Sequence, residues 1–308
     1  MATRRRKSSG GVALAGIPLG GVDTSFERGA PYPGVFQFAA ELSLQSTKAP
    51  ENVAVLTARA REFRFALELK QTDKICVGFR RAGEASGVAE WGVGPVLYGS
   101  VAEWVCQERK GWRKFDNFKR LHAQNSAADR RLRYVFIGDN GSSEKDLEAA
   151  QMIADAFPLA LEGIFLHAVS PDEQPAPLPA DTSYGGVPIR YFRTYATAAT
   201  KAARLGLLGP PAVRRVLEAV EADMRADRTN VAPGSPNEAL LLAELADARA
   251  SGLGAVTARA TGTFAAIARP LRPMRRLRML RGAGAKKSPP AEKLSREAAR
   301  GRGPPWAT

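Results

Sequence analysis

The segment 134–158 constrains the fold of this chain more than any other stretch. It opens with four apolar residues, Tyr134–Ile137, which are typical of a short buried strand. A glycine-flanked turn that contains Asp139 comes next. Apolar residues then recur at helical spacing until Pro158 ends the run. We therefore predict strand, acidic turn and helix in this order, as in a parallel α/β sheet.

The acidic turn is a candidate metal site. Ligands of parallel α/β sheets bind at the carboxyl ends of the strands, which is where this pattern places Asp139, with Glu144 across the turn. Two carboxylates and loop oxygens could hold one Mg²⁺, which takes one or two carboxylates and keeps waters that a phosphate can replace. In the alternative interpretation, Asp139 only shapes the turn and Glu144 only favours the helix N-terminus.

A second apolar run, Val53–Leu56, predicts another buried strand, and Thr57, Ala58 and Arg59 follow it directly. We expect a helix over 61–69. A hydroxyl at a strand end, followed by the N–H groups of a helix start, can hold a phosphate. Thr57 could equally be a helix cap with no ligand.

The segment 110–121 is both basic and aromatic. Lys114, Phe115 and Phe118 fall on one helical face, so we expect this lysine to point inward beside apolar rings. Basic and aromatic residues together can also bind nucleic acid. An amphipathic helix whose lysine stems lie on the core is the commoner arrangement, and we regard a nucleic-acid partner as the weaker alternative.

The positive charge lies at the two ends of the chain. The net charge is +14, of which residues 4–7 carry +4 and residues 269–308 carry +10, so that 8–268 is neutral. Basic tails suit anionic membrane surfaces, at roughly 1 kcal/mol per basic residue, although a solvated tail is the simpler interpretation. Two cysteines without metal-ligand spacing argue against a disulfide framework and a zinc site.

Six short motifs, taken together and in order, resemble one family. The set resembles the catalytic domain of actin-patch-associated phosphatidate phosphatases, a branch of the haloacid dehalogenase superfamily, over residues 20–225. The motifs are Gly21-Val-Asp-Thr-Ser-Phe-Glu-Arg28, Tyr32-Pro-Gly-Val35, Val55-Leu-Thr-Ala-Arg59, Lys114-Phe-Asp-Asn-Phe118, Phe136-Ile-Gly-Asp-Asn-Gly141 and Gly206-Leu-Leu208.

The resemblance implies an Mg²⁺-dependent hydrolase of phosphorylated substrates, such as phosphatidate. It implies that Thr57, with Ala58 and Arg59, binds the phosphoryl group and that Lys114 neutralises its charge. It further implies that Asp139 holds Mg²⁺, with Glu144 where the family usually has an aspartate. The implied fold is α/β, a three-layer Rossmann-like parallel sheet of haloacid dehalogenase type.

The chain departs from the family at the nucleophile, an aspartate in the motif Asp-x-Asp-x-Thr that ends the first strand. The first acidic residue of the chain is Asp23, which belongs to a later motif. We expect this central strand to be missing, or replaced by Val12–Ile17, and we expect no phosphatase turnover from the chain as written. A start site placed too late and a true pseudoenzyme both explain the departure, and we favour the first.

The predicted organisation has four parts. They are a basic, glycine-rich segment (1–19), the phosphatase-like domain (20–225), a linker with a C-terminal helix (226–268) and a disordered basic tail (269–308). An alternative function is an inactive module that docks on anionic lipid through this tail. We expect a cytoplasmic or peripheral membrane protein.

Overall fold

The computed structural model describes residues 12–14, 17–19, 25–27, 30–45, 50–60, 69–99, 111–128, 132–140, 145–169 and 177–253, apart from the side chains of 12–14, 17–19 and 58–60. The strands are β1 (Val12–Leu14), β2 (Ile17–Leu19), β3 (Val53–Ala60), β4 (Val93–Gly99), β5 (Tyr134–Asp139), β6 (Leu161–His167), β7 (Thr182–Tyr184) and β8 (Val187–Phe192). The helices are α1 (Val35–Leu44), α2 (Lys74–Ala85), α3 (Trp112–Ala127), α4 (Lys145–Ala156), α5 (Tyr195–Arg204), α6 (Pro210–Ala226) and α7 (Pro236–Ala250).

Strands and helices alternate along the chain, and most strand pairs are parallel, so the α/β prediction is confirmed. One sheet has the order β5–β6–β8–β7, in which only the short hairpin partner β7 is antiparallel. A separate sheet consists of β3 and β4, which are parallel. Among the described strands, none pairs with β5 on its side away from β6, and β4 alone pairs with β3.

Helices cover both faces of the four-stranded sheet because its side chains alternate between them. Phe165 and Phe192 lie in a core with α1, α5, α6 and α7. Ile164 and Leu166 lie in a second core with α3 and α4. Apolar burial on both faces is the usual requirement for the inner strands of a parallel sheet.

Residues 70–92 have no clear hydrophobic period and several glycines, from which a loop or an insertion is expected, but helix α2 (Lys74–Ala85) forms there. Its glycines suggested a loop, yet they lie where aromatic side chains approach the helix. A Cβ on Gly78 would come within 2.3 Å of the Phe36 ring, and one on Gly83 within 3.0 Å of Trp91. These glycines permit close packing inside the helix, where Phe79 and Trp91 are buried.

The segment 12–17 does not supply the central strand that the resemblance implies, since among the described strands neither β1 nor β2 pairs with β3 or β5. Val12–Leu14 pairs antiparallel with Ile17–Leu19, so the two short strands satisfy each other in a hairpin. In the part of the chain that the structure describes, no helix is long and apolar enough to cross a membrane. The basic tail, 269–308, lies outside the described residues, as do residues 61–68 of the helix predicted over 61–69.

Candidate functional site

Two of the predicted functional residues, Lys114 in the first turn of α3 and Asp139 at the carboxyl end of β5, are brought together through Asp146 in the first turn of α4. Helix α3 presents Phe115, Phe118 and Leu121 to the core, where all three are buried. The side chain of Lys114 follows this face and is only 20% exposed. The inward-pointing lysine predicted from the helical spacing is therefore present.

Asp146 is the partner of Lys114. Its carboxylate, 6% exposed, accepts a hydrogen bond from the Lys114 ammonium through Oδ1. Its other oxygen, Oδ2, accepts from the backbone N–H of Asp139 at 3.0 Å. One buried carboxylate thus ties the end of β5 to the lysine of α3, which fixes the position of a positive charge beside the acidic turn.

Gly138 is what lets Asp146 reach this position. A Cβ at residue 138 would lie 2.4 Å from Oδ2 of Asp146 and 2.7 Å from its Cβ, so any larger residue would push the carboxylate away. A second close approach joins α3 to α4, because the backbone N–H of Gly111 donates to Glu148 Oε2 at 2.7 Å. Both contacts place the start of α4 against the start of α3.

Asn117 connects α3 to the other sheet. It is fully buried, and its Nδ2 donates to the carbonyl oxygens of Thr57 at 3.1 Å and Leu97 at 2.9 Å. Arg120 in turn donates to Asn117 Oδ1 at 2.6 Å. Since Lys114 and Asn117 are three residues apart on α3, one helical turn holds the end of β3 and the end of β5 together.

The predicted phosphate-binding segment differs from its expectation. Thr57 is not the last residue of the strand, because β3 continues to Ala60 with a register irregularity after Thr57. Pairing with β4 therefore persists where a helix start was expected. Ala58 and Arg59 continue the strand, and their side chains lie outside the described residues, as does Glu144.

Polar contacts at the carboxyl ends of β5, β6 and β8 support the site from below the acidic turn. The side chain of Asn140 accepts from the backbone N–H of Val169 at 3.0 Å, which braces the acidic turn. His167 is buried, shares a hydrogen bond of 2.8 Å with the carbonyl of Arg193 and stacks on Phe192. These contacts give His167 a structural role, as expected for a histidine in an apolar strand.

Asp139 is the carboxylate that the site exposes. It lies at the end of β5 and is exposed, whereas Asp146 is committed to Lys114 and to the turn. Within the described ranges, no group of three or more His, Cys, Asp or Glu side chains could enclose a metal ion. The arrangement is compatible with an Mg²⁺ held by one or two carboxylates and completed by water and phosphate oxygens.

Sequence reasoning missed two residues of the site, Asp146 and Asn117. Asp146 lies in the first turn of α4, where an acidic residue is usual and carries no functional signal by itself. The sequence still offered one indication, since Asp146 lies at the start of the helix in the same strand-turn-helix segment, 134–158, that contains Asp139. Asn117 is a polar residue within a predicted apolar helix face, and buried amides of this kind need partners.

Comparison with protein-family models, with curated proteins and with solved structures found no match to this chain.

Proposed function

We propose that this chain is a phosphatidate-phosphatase-like domain of haloacid dehalogenase type that binds phosphate monoesters with Mg²⁺ and does not turn them over. The observation that carries the proposal is the chain of contacts from Lys114 through Asp146 to the Asp139 backbone, at the carboxyl ends of parallel strands. Such a position is where α/β sheets bind their ligands.

Lys114 has the properties that a phosphate-binding lysine requires. Its ammonium carries three N–H donors, of which Asp146 Oδ1 uses one. Its side chain is only 20% exposed and its ammonium is held by Asp146, which limits the positions that the charge can adopt. A phosphate oxygen next to this ammonium would form a charge-assisted hydrogen bond, about twice as strong as a neutral one.

Asp139 would hold the Mg²⁺, with water and the phosphate as its other ligands. The bound ion would place further positive charge beside the phosphate oxygens. Thr57, on β3 of the separate two-stranded sheet, would add its hydroxyl to the same phosphate. Asp146 would act as a positioning residue, since it touches the lysine and the turn.

The proposal excludes turnover because the reaction needs an aspartate that attacks phosphorus. Asp23 is the first acidic residue of this sequence. Asp139 and Asp146 serve the metal and the lysine in this scheme, so neither takes the place of the nucleophile. Binding without hydrolysis is the expected behaviour of this polypeptide.

The test is the affinity of the full chain for inorganic phosphate in the presence of Mg²⁺, measured by calorimetry. Lys114→Gln should weaken binding by at least about tenfold, since hydrogen bonds to charged groups contribute about 1.5–3 kcal/mol. Lys119→Gln is the matched control on the same helix, because the side chain of Lys119 is 44% exposed and its ammonium contacts Asp116 and the Trp112 and Phe115 rings of its own helix. Asp139→Asn should remove the Mg²⁺-dependent part of the affinity.

Two results would contradict the proposal. One is equal loss of phosphate binding in Lys114→Gln and Lys119→Gln, which would assign the binding to general surface charge. The other is Mg²⁺-dependent hydrolysis of phosphatidate by this polypeptide that Asp139→Asn abolishes, which would show that a nucleophile is present.

A further inference from the structure

We propose that a cavity where β7 and β8 meet the end of α5 binds the phosphate group of a small, soluble phosphate monoester. The cavity has a volume of about 460 Å³, and its polar lining consists of Asp181, Thr182, Ser183, Arg190, Lys201 and Arg204. We call it the β7 cavity. In the strand order β5–β6–β8–β7, β7 is the edge opposite to the strand that carries Asp139. The inference therefore goes beyond the proposed function and does not depend on it.

Strand β8 and helix α5 bring the three basic side chains together. Arg190 and Phe192 are two residues apart in β8, so their side chains point to the same face of the sheet. Phe192 is buried in the core that includes α5. Lys201 and Arg204 lie three residues apart in the last turn of α5, which makes them neighbours on the helix surface. The basic side chains of β8 and α5 therefore face one cavity.

A tight hairpin supplies the other wall. Gly185 and Gly186 connect β7 to β8 with φ angles of 56° and 82°, which a two-residue hairpin turn requires and which glycine adopts without strain. The turn sets the register in which Thr182 pairs with Ile189. Asp181, the residue before β7, is thereby placed at the cavity with the hydroxyl side chains that follow it.

Two of the three cations are held in position by the protein. The Lys201 ammonium donates to the Tyr191 carbonyl at 2.7 Å and to Asp181 Oδ1 at 2.8 Å, and this side chain is 14% exposed. Arg190 Nη1 donates to two backbone carbonyls at 2.9 Å and 3.1 Å, and its side chain is 22% exposed. An ammonium has three N–H donors and a guanidinium has five. Both cations therefore keep donors for a ligand beyond those that these contacts use.

Arg204 is the third cation, and its side chain is exposed. Among the residues that the structure describes, it forms no hydrogen bond or ion pair. A cation at the end of α5 is favoured by the partial negative charge of a helix C-terminus. The charge balance of the cavity decides whether this effect is sufficient to explain it.

The cavity carries more positive charge than its own surroundings neutralise. Arg190, Lys201 and Arg204 against Asp181 leave a net charge of +2 on the lining. The end of α5 offsets roughly half a charge, so about 1.5 positive charges remain. A phosphate monoester carries about −1.5 to −2 at pH 7. Its charge therefore matches the excess, and its oxygens accept from the donors that Arg190, Lys201 and Arg204 present.

The size and polarity of the cavity define the rest of the ligand. Its volume falls in the range of small-molecule pockets, about 300–1,000 Å³, so an organic group fits beside the phosphate. Leu205 is the one apolar residue of the lining, and none of the exposed large hydrophobic side chains of the described ranges borders it. Acyl chains would find little apolar surface there. The hydroxyls of Thr182 and Ser183 suit a polar ligand body, which favours a soluble monoester.

The experiment uses the full-length chain, labelled with ¹⁵N, and glycerol phosphate in the presence of a chelator of divalent cations. Titration should shift the amide signals of Thr182, Ser183 and Leu205. Arg204→Gln should weaken this binding by about tenfold at low salt, because a charge-assisted hydrogen bond is lost. Arg225→Gln is the matched control and should leave the affinity unchanged, since Arg225 also lies in the last turn of a helix and is 65% exposed.

Asp181→Asn tests the charge balance in the opposite direction. The Lys201 ammonium and the Tyr191 N–H both donate to Asp181 Oδ1, at 2.8 Å and 3.2 Å, and asparagine keeps this acceptor. The substitution removes one negative charge beside the ligand, so the affinity for glycerol phosphate should rise by about fivefold. A residue with a structural role alone would not strengthen binding when it is replaced. Circular dichroism shows whether each variant is folded.

Three results would overturn the inference. Shifts confined to residues around Lys114, with none at Thr182 and Ser183, would leave the β7 cavity without a ligand. Equal weakening by Arg204→Gln and Arg225→Gln would assign the binding to general surface charge. Shifts at the cavity caused by phosphatidylcholine vesicles that contain phosphatidate, and not by glycerol phosphate, would identify a membrane surface as the partner.

The two phosphate sites are distinguished by position. Lys114→Gln should leave the shifts of Thr182 and Ser183 unchanged, and Arg204→Gln should leave the Mg²⁺-dependent phosphate affinity unchanged. A failure of the proposed function would therefore remove one set of effects and preserve the other.

Discussion

The strands β6 and β5 are neighbours in one sheet but have opposite environments. β6 has strands on both sides and helices on both faces, and its residues Ile164, Phe165 and Leu166 are fully buried. β5 has a strand on one side only, and its Ile137 remains 38% exposed. The sequence patterns of the two strands do not differ in this way, since each contains a continuous apolar run, Tyr134–Ile137 in β5 and Ile164–Leu166 in β6.

The difference shows that an apolar run predicts a strand that can be buried. It does not show whether the described part of the chain provides the strands and helices that bury it. Helices α5, α6 and α7 pack on one face of β6, and the residues of this core are buried. On the side of β5 away from β6, which we call the open side, the same kind of sequence meets no described strand. The candidate phosphate site lies at the end of this open region and is held by α3.

The largest expected effect tests the closed side against the open side with the same substitution. Ile164→Ala removes a fully buried side chain and should lower the free energy of unfolding by about 2–5 kcal/mol. Ile137→Ala on the neighbouring strand should cost only about 1 kcal/mol, because less apolar area is lost and no closed cavity forms. The free energy of unfolding of both variants is measured in urea. Equal losses of stability would show that Ile137 and Ile164 are packed alike, against the difference between β5 and β6.

The next effect concerns the charge pair of the closed side. Glu41 is fully buried and accepts from Arg215 at 2.6 Å and 2.7 Å, which joins α1 to α6. Arg215→Gln should destabilise the chain by about 2–3 kcal/mol, since it leaves a buried carboxylate without its cation. Arg214→Gln, which changes the adjacent exposed arginine, should cost at most about 0.5 kcal/mol. Similar thermal unfolding of the two variants would show that the pair contributes little.

A smaller effect is expected from Asn117 on the open side. Asn117→Leu removes the donors to the Thr57 and Leu97 carbonyls and should cost about 1–2 kcal/mol in urea unfolding. It should also weaken phosphate binding, because the end of β3 would no longer be held near Lys114. Asn125→Leu is a suitable control, since Asn125 bonds only to the Tyr134 hydroxyl, at 2.9 Å. A normal phosphate affinity in Asn117→Leu would separate β3 from the site.

The smallest effect is a pH dependence of the closed side. Burial raises the pKa of Asp223 above its ordinary value of 3.8, although the Gly34 N–H that it accepts opposes this shift. The folded state then binds a proton more readily than the unfolded state, so the stabilising contribution of this group is complete below pH 3.8 and is lost as pH rises through the raised pKa. Asp223→Asn should flatten this part of the stability curve, measured by urea unfolding between pH 4 and pH 7. An unchanged slope would assign the dependence to other groups.

The buried strand at 134–137 with a helix after it, and the inward direction of Lys114, could be predicted from the sequence, because hydrophobic periodicity reports both directly. Helix α2 could not, because Gly78 and Gly83 resemble loop residues until the positions of Phe36 and Trp91 are known. The continuation of β3 past Thr57 depends on pairing with β4, a contact distant in sequence. The role of Asp146 depends on the fold that brings it to Lys114.

The bond between the Asp139 N–H and Asp146 has a consequence for exchanging the acidic turn. The hydrogen bond of 3.0 Å joins the residues on either side of 140–145, so the two ends of this segment are held together by contacts outside it. Each doubling of a loop's length costs only about 0.6 kcal/mol of closure free energy. Residues 141–144, which lie between Asn140 and the start of α4, can therefore be lengthened or replaced with little change in stability, which makes them a place to graft new ligand contacts onto an unchanged lysine and carboxylate.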